Sequence, residues 1–310
     1  MKRNKLYQLS FSCFSHFFYF HIVFIFLLFF SSCEKDINFN LKDADSQMVV
    51  EATIENGKAP VVILSSSLDY FSQISPEILT KSFVHNAIIV ISDSTQSRQL
   101  QEYGYPVSTT GDSLYYYTTD SVGSHAFLGT FNTSYNLQIQ VNNQQYTSQT
   151  TIPALAKKID SLWWKPAPNN PDTAKIVVVA RVTDPPGYGN YIRYFTSVNR
   201  GPFLPGLNSV YDDQIVDGTT YDVDVDQGVD RNQKIDLNNY AFFYRGDSVV
   251  VKFCNIDKAT YDFWRTMEYN YQSIGNPFST PTTVLGNISN NALGYFGGYA
   301  AQYVPLIIPK

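Results

Sequence analysis

From residue 48 onward the chain alternates short apolar, β-branched runs with turn residues. Runs at 48–54, 61–66, 87–92, 114–118, 135–141 and 145–150 have the length of strands and lie between clusters of Gly, Asn, Asp, Ser and Pro. The clearest is 135–141. There Leu137, Ile139 and Val141 alternate with Gln138, Gln140 and Asn142, so one face packs and the other meets water, and Asn142-Asn143 supplies a hairpin turn into the next run. Short strands at this spacing predict an Ig-like or transthyretin-like β-sandwich over 48–153. Residues 71–83 break the rhythm and read as a long exposed loop with Tyr70 and Phe71 at its base.

Between 152 and 173 stand Pro153, Pro166, Pro168 and Pro171, with Trp163-Trp164 among them. This composition predicts a linker over 154–173 in which the tryptophans seal a junction between domains rather than bind sugar. A second β-rich domain is expected over 174–310, with strands at 175–183, 191–198, 219–225 and 248–255, the first ended by Asp184-Pro185-Pro186-Gly187. One amphipathic helix is expected at 258–273, where Tyr261, Trp264, Arg265, Glu268 and Tyr271 recur at helical spacing and would face the sheet. Gly294-Tyr295-Phe296-Gly297-Gly298-Tyr299 reads as irregular turns leading into a final strand. In that reading Leu293, Phe296 and Tyr299, three apart, plug the sheet beneath the helix; in the other, Tyr295, Phe296 and Tyr299 are contacts for a partner.

The start of the chain has a separate character. Lys2, Arg3 and Lys5 precede an almost wholly apolar stretch at 17–30, no acid occurs before Glu34, and Phe30-Ser31-Ser32-Cys33 puts small residues directly before a cysteine. That is the pattern of a lipoprotein signal over 1–32, with Cys33 lipidated after cleavage and an acidic tether over 33–47 lifting the fold from the bilayer. Loss of those three cations takes the net charge from −5 to −8, which argues against binding to nucleic acid or other phosphates. With 44% hydrophobic and 16% charged residues the chain is no disordered solvating segment, and its 23 tyrosines and 22 phenylalanines suit a β-rich extracytoplasmic protein. Of the cysteines, Cys13 leaves with the signal and Cys33 carries lipid, so Cys254, in the β-prone Val249-Val250-Val251-Lys252-Phe253-Cys254, is expected to be a buried, inert thiol without a disulfide.

Candidate chemistry is sparse. His85 and His125 are the histidines left after the signal, too few for a histidine metal cluster, and the chain has no P-loop, glycine-rich phosphate turn or Gly-x-Ser-x-Gly elbow. No cofactor is indicated beyond a candidate calcium site at Asp222, Asp224 and Asp226. An EF-hand register fails there because Gln227 and Gln233 stand at the sixth and twelfth positions; the other reading is a strand with Val223 and Val225 inward and the aspartates in water. Asp-Ser or Asp-Thr pairs offer O-glycosylation acceptors at Ser94, Ser113, Ser121, Ser161, Thr173 and Ser248, though the same pairs are ordinary turn chemistry.

Cys33 with its acidic follow-on, Asp184-Pro185-Pro186-Gly187 with Gly189-Asn190-Tyr191, Ile256-Asp257-Lys258-Ala259-Thr260-Tyr261, Asn276-Pro277-Phe278, Gly286-Asn287-Ile288 and the segment 294–299 together resemble the Bacteroidota lipoprotein family of domain of unknown function 4249 (DUF4249). The resemblance implies an outer-membrane lipoprotein met beside TonB-dependent transporters, and it carries over no catalytic residue. Two function classes follow: a non-catalytic accessory or binding component of such a transporter, with no nucleic-acid partner, or a surface-anchored hydrolase of the paired-carboxylate kind.

Overall fold

The computed structural model describes residues 46–68, 76–106, 113–123, 126–274, 276, 278–280 and 282–310. The signal, Cys33, most of the tether, Tyr70, Phe71 and His125 lie outside the described residues. In chain order the elements are β1 (Met48–Glu55), β2 (Val61–Ser66), α1 (Pro76–Ser82), β3 (Ile88–Ser92), β4 (Ser97–Gln99), β5 (Gln101–Pro106), β6 (Ser113–Thr118), β7 (Thr133–Val141), β8 (Gln144–Ile152), β9 (Lys158–Pro166), β10 (Lys175–Thr183), β11 (Tyr191–Val198), β12 (Leu204–Tyr211), β13 (Thr220–Val225), β14 (Phe243–Tyr244), β15 (Ser248–Ile256), α2 (Lys258–Ser273) and β16 (Leu293–Ile307). Among the described residues no helix is long and apolar enough to cross a membrane.

The fold is mostly β, as the hydrophobic pattern requires. Eight strands make one long sheet in the order β12-β11-β15-β16-β1-β2-β6-β5. Strand alternation gives it two unlike faces. Val50, Ala52 and Ile54 of β1, with Phe296 and Ala300 of β16, look one way and meet Ile89, Ile91, Leu137, Ile139 and Tyr146 of the sheet β4-β3-β7-β8 in a first core. On the same face Ile192, Tyr194, Val249, Val251 and Phe253 meet Ile176, Val178, Ala180, Val182 and Val225 of the sheet formed by β13, β10, β14 and β9, in a second core. The opposite face is partly covered by α2, whose Phe263 packs with Tyr295, Tyr299, Ala301, Cys254 and Ile256 in a third.

The boundary expected at 154–173 does not divide the fold: residues 45–310 form one compact unit. Lys158–Pro166 is a strand paired along β10, with Trp164 opposite Val178 and Trp163 opposite Val179. The tryptophans are half-buried and lie beside cations, Arg181 5.8 Å over Trp163 and Arg245 5.2 Å over Trp164. The chain is also held where it crosses from the first core to the second. Asn255 accepts from the Lys157 amide (2.9 Å) and donates to its carbonyl (2.8 Å), and Gln302 does the same for Ile159 (3.0 Å each way), so two side-chain amides stand in for strand neighbours. Part of the loop expected at 71–83 is the short helix α1.

The final strand starts earlier than its glycines suggest. Leu293–Ile307 is continuous and lies between β15 and β1, parallel to β1, with Glu51 opposite Tyr295 and Glu55 opposite Tyr299. Its period is two, not three, so Phe296 enters the first core, Tyr295 and Tyr299 turn towards α2, and Leu293 is exposed. The paired glycines admit neighbours on both faces. A Cβ at Gly297 would stand 3.1 Å from Thr260 of α2, and one at Gly298 would stand 2.4 Å from the Thr151 carbonyl of β8.

The helix spans 258–273, as its periodicity predicts, and its start is fastened from both sides. Asp257 caps the Thr260 amide with one oxygen (2.8 Å) and with the other accepts from the Thr150 hydroxyl (2.7 Å) and the Thr151 amide (2.9 Å). Its buried side is Thr260, Phe263 and Glu268, whereas Arg265, expected on that side, is exposed.

Candidate functional site

Beyond the edge of α2, the outer face of the long sheet is an open cleft of about 620 Å³, bordered by β1, β11, β15, β16, α2 and residues 229–232. Its chemistry comes from charged residues that each occupy an outward position of an otherwise apolar strand: Glu51 and Glu55 on β1, Arg193 on β11 and Lys252 on β15. Pairing aligns them, since Arg193 lies opposite Cys254 and Lys252 opposite both Phe195 and Tyr303.

Arg193 is buried and is held by hydrogen bonds on two of its nitrogens and by a ring stacked on its plane. Its guanidinium lies 3.4 Å over the Trp264 ring, donates to the Tyr299 hydroxyl (3.1 Å) and donates to the Ser209 hydroxyl (3.2 Å). The Tyr299 hydroxyl also takes the Trp264 indole N–H (3.2 Å) and meets the Tyr295 hydroxyl (3.2 Å). Ser209 donates to Glu268 (2.5 Å), which accepts from Arg231 of the cleft wall (2.9 Å). One continuous network therefore ties sheet, helix and wall into a rigid surface.

The two glutamates differ. Glu55 is buried and occupied on both oxygens, by Lys58 (2.8 Å) and the Tyr303 hydroxyl (2.5 Å) on one and by Lys252 (2.5 Å) on the other. Burial alone would raise its pKa, but Lys252, Lys58 and Tyr303 outweigh that and hold it below the usual carboxylate value. Glu51 is exposed to solvent in the cleft and makes no hydrogen bond or salt bridge to any described residue. Burial raises its pKa, and the Arg193 charge only partly offsets this.

A second, partly open cavity of about 340 Å³ borders the second core, lined there by Ile159, Ala180, Val182, Val223, Val251 and Phe253 and towards α2 by Val210, Tyr261 and Arg265. A third feature is a group of carboxylates. Asp184, Asp213 and Asp217 have oxygens within 4.8 Å of one another, a spacing that can hold a cation. Here a cation is already present, since the fully buried Lys157 ammonium stands 3.1 Å from Asp184. The other two hold the turn after β10: Asp213 accepts from the amides of Gly189 (3.1 Å) and Asn190 (2.9 Å), and Asp217 from that of Gly187 (2.7 Å). The Asp-Pro-Pro-Gly turn thus has a clasp, and we assign the group that structural part. Asn287 has a similar task, bonding the Phe296 amide and carbonyl at 2.8 Å each and fastening residues 286–288 beside β16.

The candidate calcium residues do not converge. Asp222 faces outward in a two-point pair with Arg181 (2.8 and 3.0 Å), Asp224 pairs with Lys165 (2.7 Å), and Asp226 lies past the strand end, half-buried near the Tyr240 hydroxyl (3.5 Å). The strand reading accounts for the pattern and the calcium reading does not. Phe296, considered as a partner contact, is wholly buried in the first core, so it cannot meet a partner; Tyr295 and Tyr299 border the cleft, largely covered. Of the glycosylation candidates, Ser94, Ser121 and Thr173 lie on exposed turns, Ser161 and Ser248 are exposed on strands, and Ser113 is half-buried. Cys254 is fully buried, and burial pushes its thiol up to about 12.

Sequence reasoning passed over Glu51, Glu55, Arg193 and Lys252. The available signal was a lone charge inside an apolar strand, Tyr191-Ile192-Arg193-Tyr194-Phe195 and Val250-Val251-Lys252-Phe253, which marks a charge with a partner to meet. Comparison with known families shows that the chain belongs to the DUF4249 family, a domain of unknown function, matched over residues 34–303. No curated protein matches it.

Proposed function

We propose that this member of the DUF4249 family is a non-catalytic, lipid-anchored binding component of the outer membrane, acting beside a TonB-dependent transporter, with the outer cleft as its recognition surface. The small-small-Cys triplet after a basic and then apolar start supports the anchor at Cys33. The observation that carries the binding role is that the Arg193, Lys252, Glu55 and Glu268 charges are fixed by one another and by aromatic rings, leaving Glu51 as an acid without a protein partner. A preorganised polar surface of this kind binds without reorganising.

The test is co-purification from solubilised outer membrane. Wild type is expected to carry a transporter with it; Glu51→Lys should lose that partner while remaining folded. Retention of the partner by Glu51→Lys, or absence of any transporter from the wild-type complex, would overturn the reading. Cys33→Ala is expected to leave an uncleaved precursor or a protein released from the membrane, and unchanged processing and membrane association would end the anchor.

A hydrolase reading draws on one observation: two glutamates bordering the same cleft have pKa values moved in opposite directions, the usual division between an acid and a base. Against it, the two are four residues apart on one strand, roughly 13 Å along the backbone, and Glu55 has no free oxygen for water. Hydrolysis of envelope glycans by wild type and its loss in Glu51→Gln would establish that reading instead.

A further inference from the structure

We propose that the cavity running from the second core to the edge of α2 is a separate binding site, which takes a single acyl chain and pairs the acidic head of that chain with Arg265. The walls are apolar and modest in bulk where the long sheet faces β10 and β13, with Ala180, Val182, Val223 and Val251 among them. At about 340 Å³ it falls within the range of ligand sites. Two layers about 10 Å apart leave a slot one chain thick, which suits an extended hydrocarbon better than a fused ring system.

The slot reaches solvent at one end. Val223 and Tyr211 both line it, yet they are 41% and 47% accessible, and Ile215, on the connection between β12 and β13, is 95% accessible beside them. That end also carries the charge that selects the ligand. Asp212 accepts from the Tyr261 hydroxyl (3.0 Å), and Asp224 is paired with Lys165 (2.7 Å), so both carboxylates there have partners. Arg265 lines the same cavity, is exposed, and makes no hydrogen bond or salt bridge to any described residue. A guanidinium offers two parallel donors to a carboxylate or phosphate. Apolar slot and unpaired guanidinium together define an amphiphile with an anionic head.

The experiment uses the full chain in its own membrane and a dodecanoic acid bearing a photoreactive diazirine. Labelling should saturate and map to peptides containing Val182, Val223 or Val251. Unlabelled dodecanoate should compete, and Arg265→Gln should raise the concentration needed by roughly tenfold or more while leaving competition by dodecan-1-ol unchanged. Val223→Phe places a ring in the mouth from a position already accessible and should abolish labelling; Ala180→Leu narrows the inner end and serves as a second block should the first variant fold poorly. Labelling that does not saturate, or that maps elsewhere, overturns the site. Labelling undiminished in both blocking variants does the same, and indifference of dodecanoate competition to Arg265→Gln overturns the acidic head.

Discussion

The two small sheets cover the same face of the long sheet, but they fill the space beneath them differently. Under β4-β3-β7-β8 the gap is closed by large side chains, Phe127, Tyr135, Tyr146 and Phe296 among them, with leucines and isoleucines between. Under the sheet around β10 the inward residues of that strand are Ile176, Val178, Ala180 and Val182, and a cavity remains. Equal layers with unequal filling mean that the first core supplies rigidity, while the second has room that a ligand or a larger side chain can take.

The largest expected effect breaks the first core. Phe296→Ala should cost about 3–5 kcal/mol, a large part of the 5–15 kcal/mol by which domains are usually stable, when measured by denaturant unfolding. The same truncation at Phe253, which already borders a cavity, should cost less; equal losses would mean that the two cores are packed alike. Adding bulk reverses the comparison. Ala300→Leu in the first core should cost about 1–3 kcal/mol through overpacking, and Ala180→Leu in the second should be close to neutral.

The smallest effects separate the two glutamates of the cleft. Because the folded pKa of Glu51 is raised, the stability it contributes is present below its unfolded value and lost as pH rises through the folded one, so ionised Glu51 works against the fold at neutral pH. Glu51→Gln should therefore raise the Tm slightly at pH 7 and leave it unchanged in acid. Glu55 has the opposite sign: its contribution is present above the unfolded value and lost as pH falls through its lowered folded one. Glu55→Gln should lower the Tm at pH 7, by less as the medium is acidified, and matching pH profiles for the two variants would contradict their assigned environments.

Much of the strand content was legible in the sequence because period-two patterns and apolar runs report burial directly: β2, β10, β11 and α2 fall where the pattern puts them. The strands that were missed are of another kind. β9 ends in Pro166 and carries two tryptophans, β12 contains Pro205 and Gly206, and β4 and β5 are polar; the last three are sheet edges, where neighbours and not their own residues impose the conformation. The cleft was hidden for a related reason. Glu51 and Glu55 alternate with apolar residues and so read as water-facing, and nothing local says that Lys252, 197 positions beyond Glu55, will stand beside it. The glycines of 294–299 misled in the same way, since Gly297 and Gly298 serve close approach within a strand and not a turn.

The place of β16 in the long sheet bears on how the chain is made. Until Leu293–Ile307 has been made, β1 and β15 each expose an open edge that this strand closes. Before that the long sheet is in two incomplete pieces, prone to pairing with other chains, so deleting a few residues of β16 should harm yield far more than their number suggests. A stop before this strand would leave the two small sheets without a continuous partner, because the long sheet they both cover would be split between β15 and β1.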